Sequence, residues 1–319
     1  MERIIPLVED KGLAQSEDQN YLFNYPSGLD VCFESVFVLD TMNDRIQVFD
    51  LQGSFKHSIG QRGKGPGEFN SPEGFFVEVE TRKMYVADTR NLRLQVLDLA
   101  GKEIITMNLR FAPAGVVARK ERIYLLAFPG SSLVLKKEPL IKTFGADLQP
   151  GEGLLEPIKT NDLLMNMMAN SILLKKDRQG NLVCARQFGL NQVLVFDERN
   201  RLSRSFEILY KGSNLAKPGV DLKLKSDQDV QKVAFIVADL AFDSRNNYYF
   251  LAGLSGLQAD GQPEKSREIY KYDQKGNYLG TIILPDQARL IAFGPDDSLF
   301  LVDGNFQLRK FKIRGGRRQ

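Results

Sequence analysis

The chain has 319 residues with a formal net charge of +3, and 43% of them are hydrophobic and 26% charged. That balance is ordinary for a globular protein with a sizeable core. It excludes a membrane span, since no apolar run approaches the ~18 residues one needs, and so small a net charge places no global demand for a polyanionic partner.

Residues 1–20 contain Glu2, Glu9, Asp10, Glu17 and Asp18, the wrong chemistry for a signal peptide. The compartment stays open, cytoplasmic as written and periplasmic or extracellular if a leader was removed. Residues 3–8 form a strand-like run. Residues 37–53 and 85–101 are then one motif written twice: Asp40, Thr41, Asn43, Arg45, Gln47, Val48, Asp50, Leu51 and Gly53 recur as Asp88, Thr89, Asn91, Arg93, Gln95, Val96, Asp98, Leu99 and Gly101. Each copy reads as a strand ending near Val38–Leu39, an Asp-Thr-x-Asn turn, an alternating strand Arg45–Phe49, and an Asp-Leu-x-Gly turn whose glycine supplies positive φ. A further strand follows, at 54–59 and 102–109. Arg45 and Arg93 are expected to pair with Asp40 and Asp88 across the hairpin. Gly60-Gln-Arg-Gly-Lys-Gly-Pro-Gly67 lacks the spacing of a phosphate loop and reads as a connection between repeats.

Diverged copies follow. The third has strand-like runs at 123–127, 133–137 and 140–144, and the fourth at 171–175, 182–185 and 192–197. The fifth has them at 240–242, 248–252 and 268–276, and the sixth at 290–293, 299–302 and 308–313. A period of this kind means a closed repeat array. The expected fold is all-β: one domain over 1–319, a six-bladed β-propeller of four-stranded antiparallel blades. The last blade lacks a fourth strand, which residues 3–8 supply, closing the ring and covering two sheet edges.

The segment 43–55 (Asn-x-Arg-Ile-Gln-Val-Phe-Asp-x-x-Gly-x-Phe), followed by Gly63-Lys-Gly-Pro-Gly-Glu-Phe69 and Ser71-Pro-Glu-Gly74, resembles the NHL-repeat family of six-bladed β-propellers. The resemblance is specific over 37–101 and weaker beyond. It implies the fold more firmly than a function, because family members include binding scaffolds, RNA-binding modules, extracellular sensor domains and lyases.

The residues restrict the chemistry. His57 is the single histidine, in an outer-strand segment, so neither a multi-histidine zinc site nor a well-placed Ser-His-Asp triad is available. Cys32 and Cys184 lie in apolar contexts in different blades and read as buried thiols, not a disulfide. No catalytic residue is assigned and no cofactor is expected. A metal-dependent, lactonase-like hydrolase stays open as an alternative, with Glu73, Asn170, Asn247 or Asp303 as channel ligands for one divalent ion. The adjacent Asp296 and Asp297 read as turn residues.

Basic residues recur near the predicted loops, and Arg62, Lys64, Arg90, Arg186, Lys211, Lys217, Lys265 and Arg267 are the candidate ligand-binding set. Residues 309–318 add six positive and no negative side chains. Long segments at 145–167, 211–232 and 253–267, the first two rich in Leu, Met or Val, decorate the face where blade connections emerge. The leading reading is a monomeric, non-enzymatic scaffold presenting that face to a protein, peptide or small ligand. An RNA-binding scaffold is a further alternative.

Overall fold

In the first repeat an inner strand β2 (Pro26–Cys32) is followed by β3 (Ser35–Asp40), β4 (Arg45–Asp50) and β5 (Phe55–Ile59), paired in that order. The computed structural model describes residues 3–10, 18–129, 138–158, 163–188, 191–208, 236–257, 263–265 and 267–314. Strand β1 (Leu7–Glu9) precedes this blade in the chain but belongs to the last one. Blade 2 repeats the meander with β6 (Gly74–Glu78), β7 (Lys83–Asp88), β8 (Arg93–Asp98) and β9 (Glu103–Asn108).

The expected turns form. Gly53 and Gly101 have φ of 82° and 90°, and each donates its N–H to the carbonyl of the preceding Asp50 or Asp98. Asp40 is fully buried and accepts from the Asn24 N–H at 2.6 Å, Asn43 at 2.8 Å and Arg45 Nε at 3.0 Å. Asp88 repeats this with Asn70, Asn91 and Arg93 at 2.7, 2.9 and 2.7 Å. Arg93 also donates to the carbonyls of Lys64, Gly65 and Glu68. Each Asp–Arg pair therefore sews the connection from the preceding chain onto its hairpin, and every charge in it is satisfied.

Blade 3 departs from the sequence reading. Its strands are β10 (Pro113–Arg119), β11 (Arg122–Ala127) and β12 (Ile141–Gly145), so the innermost was missed; 133–137 lies outside the described residues. The fourth place is taken by chain bridging Ile141 to Leu154 and Phe144 to Pro150. Residues 145–167 are thus partly blade edge, and they lead into a short helix α1 (Leu163–Ala169). Blade 4 has β13 (Ile172–Lys176), β14 (Leu182–Arg186), β15 (Gln192–Phe196) and an unforeseen outer β16 (Leu202–Glu207). Blade 5 has β17 (Val237–Phe242) and β18 (Tyr248–Ala252), a side hairpin of β19 (Leu254–Leu257) and β20 (Pro263–Lys265), then β21 (Glu268–Tyr272) and β22 (Tyr278–Ile283). Blade 6 has β23 (Ala288–Phe293), β24 (Leu299–Asp303) and β25 (Leu308–Ile313).

Ring closure occurs where expected. Strand β1 pairs with β25 through Leu7–Ile313, Val8–Lys312 and Glu9–Phe311. The run extends backward too, for Ile4 bridges Thr281 in parallel, tying blade 5 to blade 6. Arg309, read as part of a basic tail, is a clasp residue bonded to Glu9 and Asp286.

The core is divided among wedges between neighbouring blades. The seam between blades 6 and 1 packs Phe23, Leu29, Val36 and Phe49 against Leu290, Phe300 and Val302, and equivalent clusters fill the other five gaps. Each large side chain buried there contributes about 1.5–3 kcal/mol. The inner strands converge so closely that a Cβ on Gly74 would stand 2.8 Å from the Gly115 Cα. Cys184 is buried, Cys32 half-buried, and both are free thiols; burial pushes the Cys184 thiol up to about 12, which leaves it inert.

Candidate functional site

The six inner strands β2, β6, β10, β13, β17 and β23 surround a channel of about 970 Å³. They all enter from the face where blade connections emerge, so Tyr25, Glu73 and Arg289 share its mouth, while Cys32, Glu80 and Lys176 share its far end. The contacts agree: Ser27 Oγ reaches the Glu73 carbonyl at 3.3 Å, and the Gly304 N–H donates to the Gln287 carbonyl at 2.8 Å.

A bulge recurs at the mouth. In blades 1, 3, 5 and 6 the pairing of first and second strands slips by one residue, leaving Ser27, Ala114, Ala238 and Arg289 as the extra residue. A bulge re-aims the side chain it carries, and all four of these residues line the channel. Three are small and one is a large cation. The three small residues leave the upper channel open beside Arg289, whereas Gly28 and Gly74 serve close packing, since a Cβ on either would stand 2.8 Å from the Phe75 ring or the Gly115 Cα.

Arg289 is held rigidly. Its Nε donates to the Pro26 carbonyl at 2.9 Å, and its guanidinium lies 3.9 Å from the Tyr25 ring centroid and 5.6 Å from that of Phe306. Both aromatics adopt left-handed backbone, φ 55° at Tyr25 and 62° at Phe306. Phe306 occupies the turn position taken by Gly53, Gly101, Gly180, Asn200, Asn246 and Gly276 elsewhere. A bulky residue in that region costs on the order of 1–3 kcal/mol, and such strain concentrates at binding sites. The two terminal nitrogens of Arg289 meet no acceptor among the described residues. Glu73 stands within its field, also without a hydrogen-bond partner for its carboxylate among those residues; burial raises the carboxyl's pKa, and Arg289 and Arg90 draw it back.

The far end is different. Lys176 Nζ bonds Glu78 at 2.7 Å and lies 3.9 Å from Glu80, while its neighbour Lys175 reaches up the channel to Asp239 at 3.2 Å. Burial, then the hydrogen bond shared with Glu80, pushes the Glu78 carboxyl up to about 7. Deeper in the channel, burial also raises Asp30, against the opposing charges of Lys175, Arg178 and Lys176.

The sequence candidates scatter. Arg62, Lys64, Arg90 and Arg267 are exposed on the connection face, but only Arg90 acts on a channel group, through Glu73. Arg186 is not on a solvated rim: it is buried, one terminal nitrogen bonded to the Ala169 carbonyl at 2.7 Å, and burial lowers its pKa. Lys265 ends β20, and Lys211 and Lys217 lie outside the described residues. The four candidate metal ligands do not converge. Asn170 is bonded to Ile158, Asn247 to Asp243 and Asp303 to its own turn, leaving Glu73 alone at the mouth. Among the described residues no group of three or more His, Cys, Asp or Glu is placed to hold a metal. No helix among the described residues is long and apolar enough to cross a membrane. Sequence reasoning missed Tyr25, Arg289 and Phe306; the pattern Pro26-Ser-Gly, Pro113-Ala-Gly and Ala288-Arg-Leu at three strand starts was the available signal.

Comparison with known proteins agrees on architecture. Residues 16–144 match the DUF5128 family model, described as a 6-bladed beta-propeller. The chain is a six-bladed β-propeller. A solved member of the DUF4221 family from Bacteroides vulgatus superposes with a TM-score of 0.69 at 16% identity, over 99% of this chain and 100% of that one. A putative exported protein from Bacteroides fragilis gives 0.65 at 11%, over 98% and 95%. A streptogramin B lyase gives 0.57 at 11%, over 97% and 98%. At such identities the likeness is one of fold. No curated protein matches the sequence.

Proposed function

We propose that this propeller, built from NHL-type repeats, is a non-enzymatic binding protein whose site is the channel mouth, taking a small ligand or the end of a peptide. The observation that carries this is Arg289: a guanidinium placed on a bulge where other blades carry Ser or Ala, clamped between two aromatics in left-handed backbone, with its terminal nitrogens unpaired. Satisfied structural arginines such as Arg93 look different, since their donors are taken up by the chain itself. The aromatic walls and the open upper channel provide the concave, partly apolar surroundings that ligand sites favour. The lactonase-like reading has less support, because three of its four candidate ligands are spent on turns and loops and only Glu73 reaches the mouth.

Gly304 makes the test clean. It lines the mouth, and a Cβ there would meet nothing nearer than Gln287 Cβ at 3.4 Å, so Gly304→Trp starts from an unstrained attachment and is expected to narrow the opening, its melting temperature being the check on the blade. A mixed fragment library screened by ligand-observed NMR should yield binders that Gly304→Trp loses. Binders that are indifferent to the substitution, or none at all, would refute the mouth as the site.

A further inference from the structure

Resting on that reading of the mouth, we infer that its ligand is a monocarboxylate with an apolar body, the carboxylate seated on the free edge of Arg289 and the body directed into the channel. The geometry leaves one way in. Tyr25 covers one part of the guanidinium surface, Phe306 another, and Nε is committed to the Pro26 carbonyl. What remains is the in-plane edge bearing the terminal nitrogens. A carboxylate meets that edge with parallel N–H···O bonds, a match a lysine cannot reproduce.

Charge decides among anions. Arg289 and Arg90 face one carboxylate, Glu73, so the ionised mouth carries one net positive charge. A monoanion neutralises it. A phosphate dianion would overshoot and be repelled by Glu73, whereas a neutral ligand would desolvate Arg289 without satisfying it, a costly outcome for a buried charge. Below the mouth the small bulge residues Ala114 and Ala238 line the wall and carry no charge. That suits an aliphatic or aryl group. Asp239, the next residue on its strand, is already taken up by Lys175 at 3.2 Å and by the Ile291 N–H at 2.9 Å, and Asp30 lies deeper.

Two sources share this chemistry, a free organic acid and a peptide C-terminus. Isothermal titration of the full chain with 4-phenylbutyrate, 4-phenylbutyramide, 4-phenylbutyl phosphate, and an apolar tripeptide as acid and as amide separates them. The expected result is that at least one acid binds at least about tenfold more tightly than its amide, and 4-phenylbutyrate more tightly than the phosphate. Arg289→Gln should abolish the preference for acid over amide, and Arg289→Lys should restore only part of it. To separate lost binding from misfolding, Phe306→Asn is a second variant. Asn200 and Asn246 hold the same turn position elsewhere, so this variant should keep a cooperative melt while binding the acid several-fold more weakly. Preference for the peptide acid assigns the source as a chain end; preference for 4-phenylbutyrate assigns a free acid. Equal affinity for acids and amides, binding by no acid, or acid binding unchanged in both Arg289→Gln and Phe306→Asn overturns the inference. If neutral fragments still bind and Gly304→Trp still blocks them, the mouth survives as a site and only its ligand class falls.

Discussion

At the far end of the channel Lys176 sits 2.7 Å from Glu78, and nearer the mouth Lys175 reaches Asp239 at 3.2 Å. At the mouth Arg289 and Glu73 occupy one electrostatic field, yet neither bonds the other, and the guanidinium is held instead by two strained aromatics. Both ends are charged, but only the far end has used its charges up. Paired charges of this kind tie blade 4 across the channel to blade 2 and sideways to blade 5. An unpaired cation kept rigid at an opening has its bonding capacity in reserve, and that capacity is what a ligand needs.

Substitutions can break or sharpen this contrast. The largest effect is expected where pairing is most complete: Asp88→Ala strands Arg93 beneath the connection it holds and should cost about 3–5 kcal/mol in urea unfolding. Lys176→Met should cost about 2–3 kcal/mol at pH 8, and clearly less at pH 5, because a protonated Glu78 needs no cation. A penalty equal at both pH values would show that Glu78 is not the group Lys176 serves.

Glu78 itself makes a signed prediction. Its folded pKa, about 7, lies above the ordinary 4.5, so the folded state binds the extra proton and stability falls as pH rises from about 4.5 through 7. Glu78→Gln should flatten that decline by about 1–2 kcal/mol, solvent screening included; an unchanged slope of Tm against pH would refute it. Arg289→Gln should have the smallest effect, about 1 kcal/mol, since it loses the Nε bond to Pro26 and the stacking on Tyr25 while no partner among the described residues depends on its terminal nitrogens. A loss as large as that of Asp88→Ala would mean that the mouth arginine is structural, and the contrast would collapse.

What the sequence revealed follows the same division. The Asp40–Arg45 and Asp88–Arg93 pairs and the glycine turns were legible because each is local, within one hairpin, and written twice. Strand β10 was not, because Ala114-Gly-Val-Val-Ala118 has neither the alternation nor the flanking turn signature of its sister strands. The mouth was harder still. Arg289 and Pro26 are 263 positions apart and meet only when blade 6 reaches blade 1, so no window of sequence contains the site. Of the basic residues that were legible, Arg62, Lys64, Arg90 and Arg267 lie between strands and Arg186 and Lys265 end strands, whereas the arginine the structure places at the mouth owes its direction to a bulge, which leaves little trace in residue type.

The clasp between β1 and β25 carries a consequence in time. Arg309 and Glu9 are 300 residues apart, so on the ribosome the first strand emerges well before the one it pairs with. At about 5–20 residues per second that wait is roughly 15–60 s, far longer than the microseconds in which a hairpin forms. Each blade from 1 to 5 can therefore assemble while its successor is still being made, but blade 6 cannot be completed until β25 has been made. Until then the seam between blades 6 and 1 is open, and the mouth, which is built across that seam, does not yet exist.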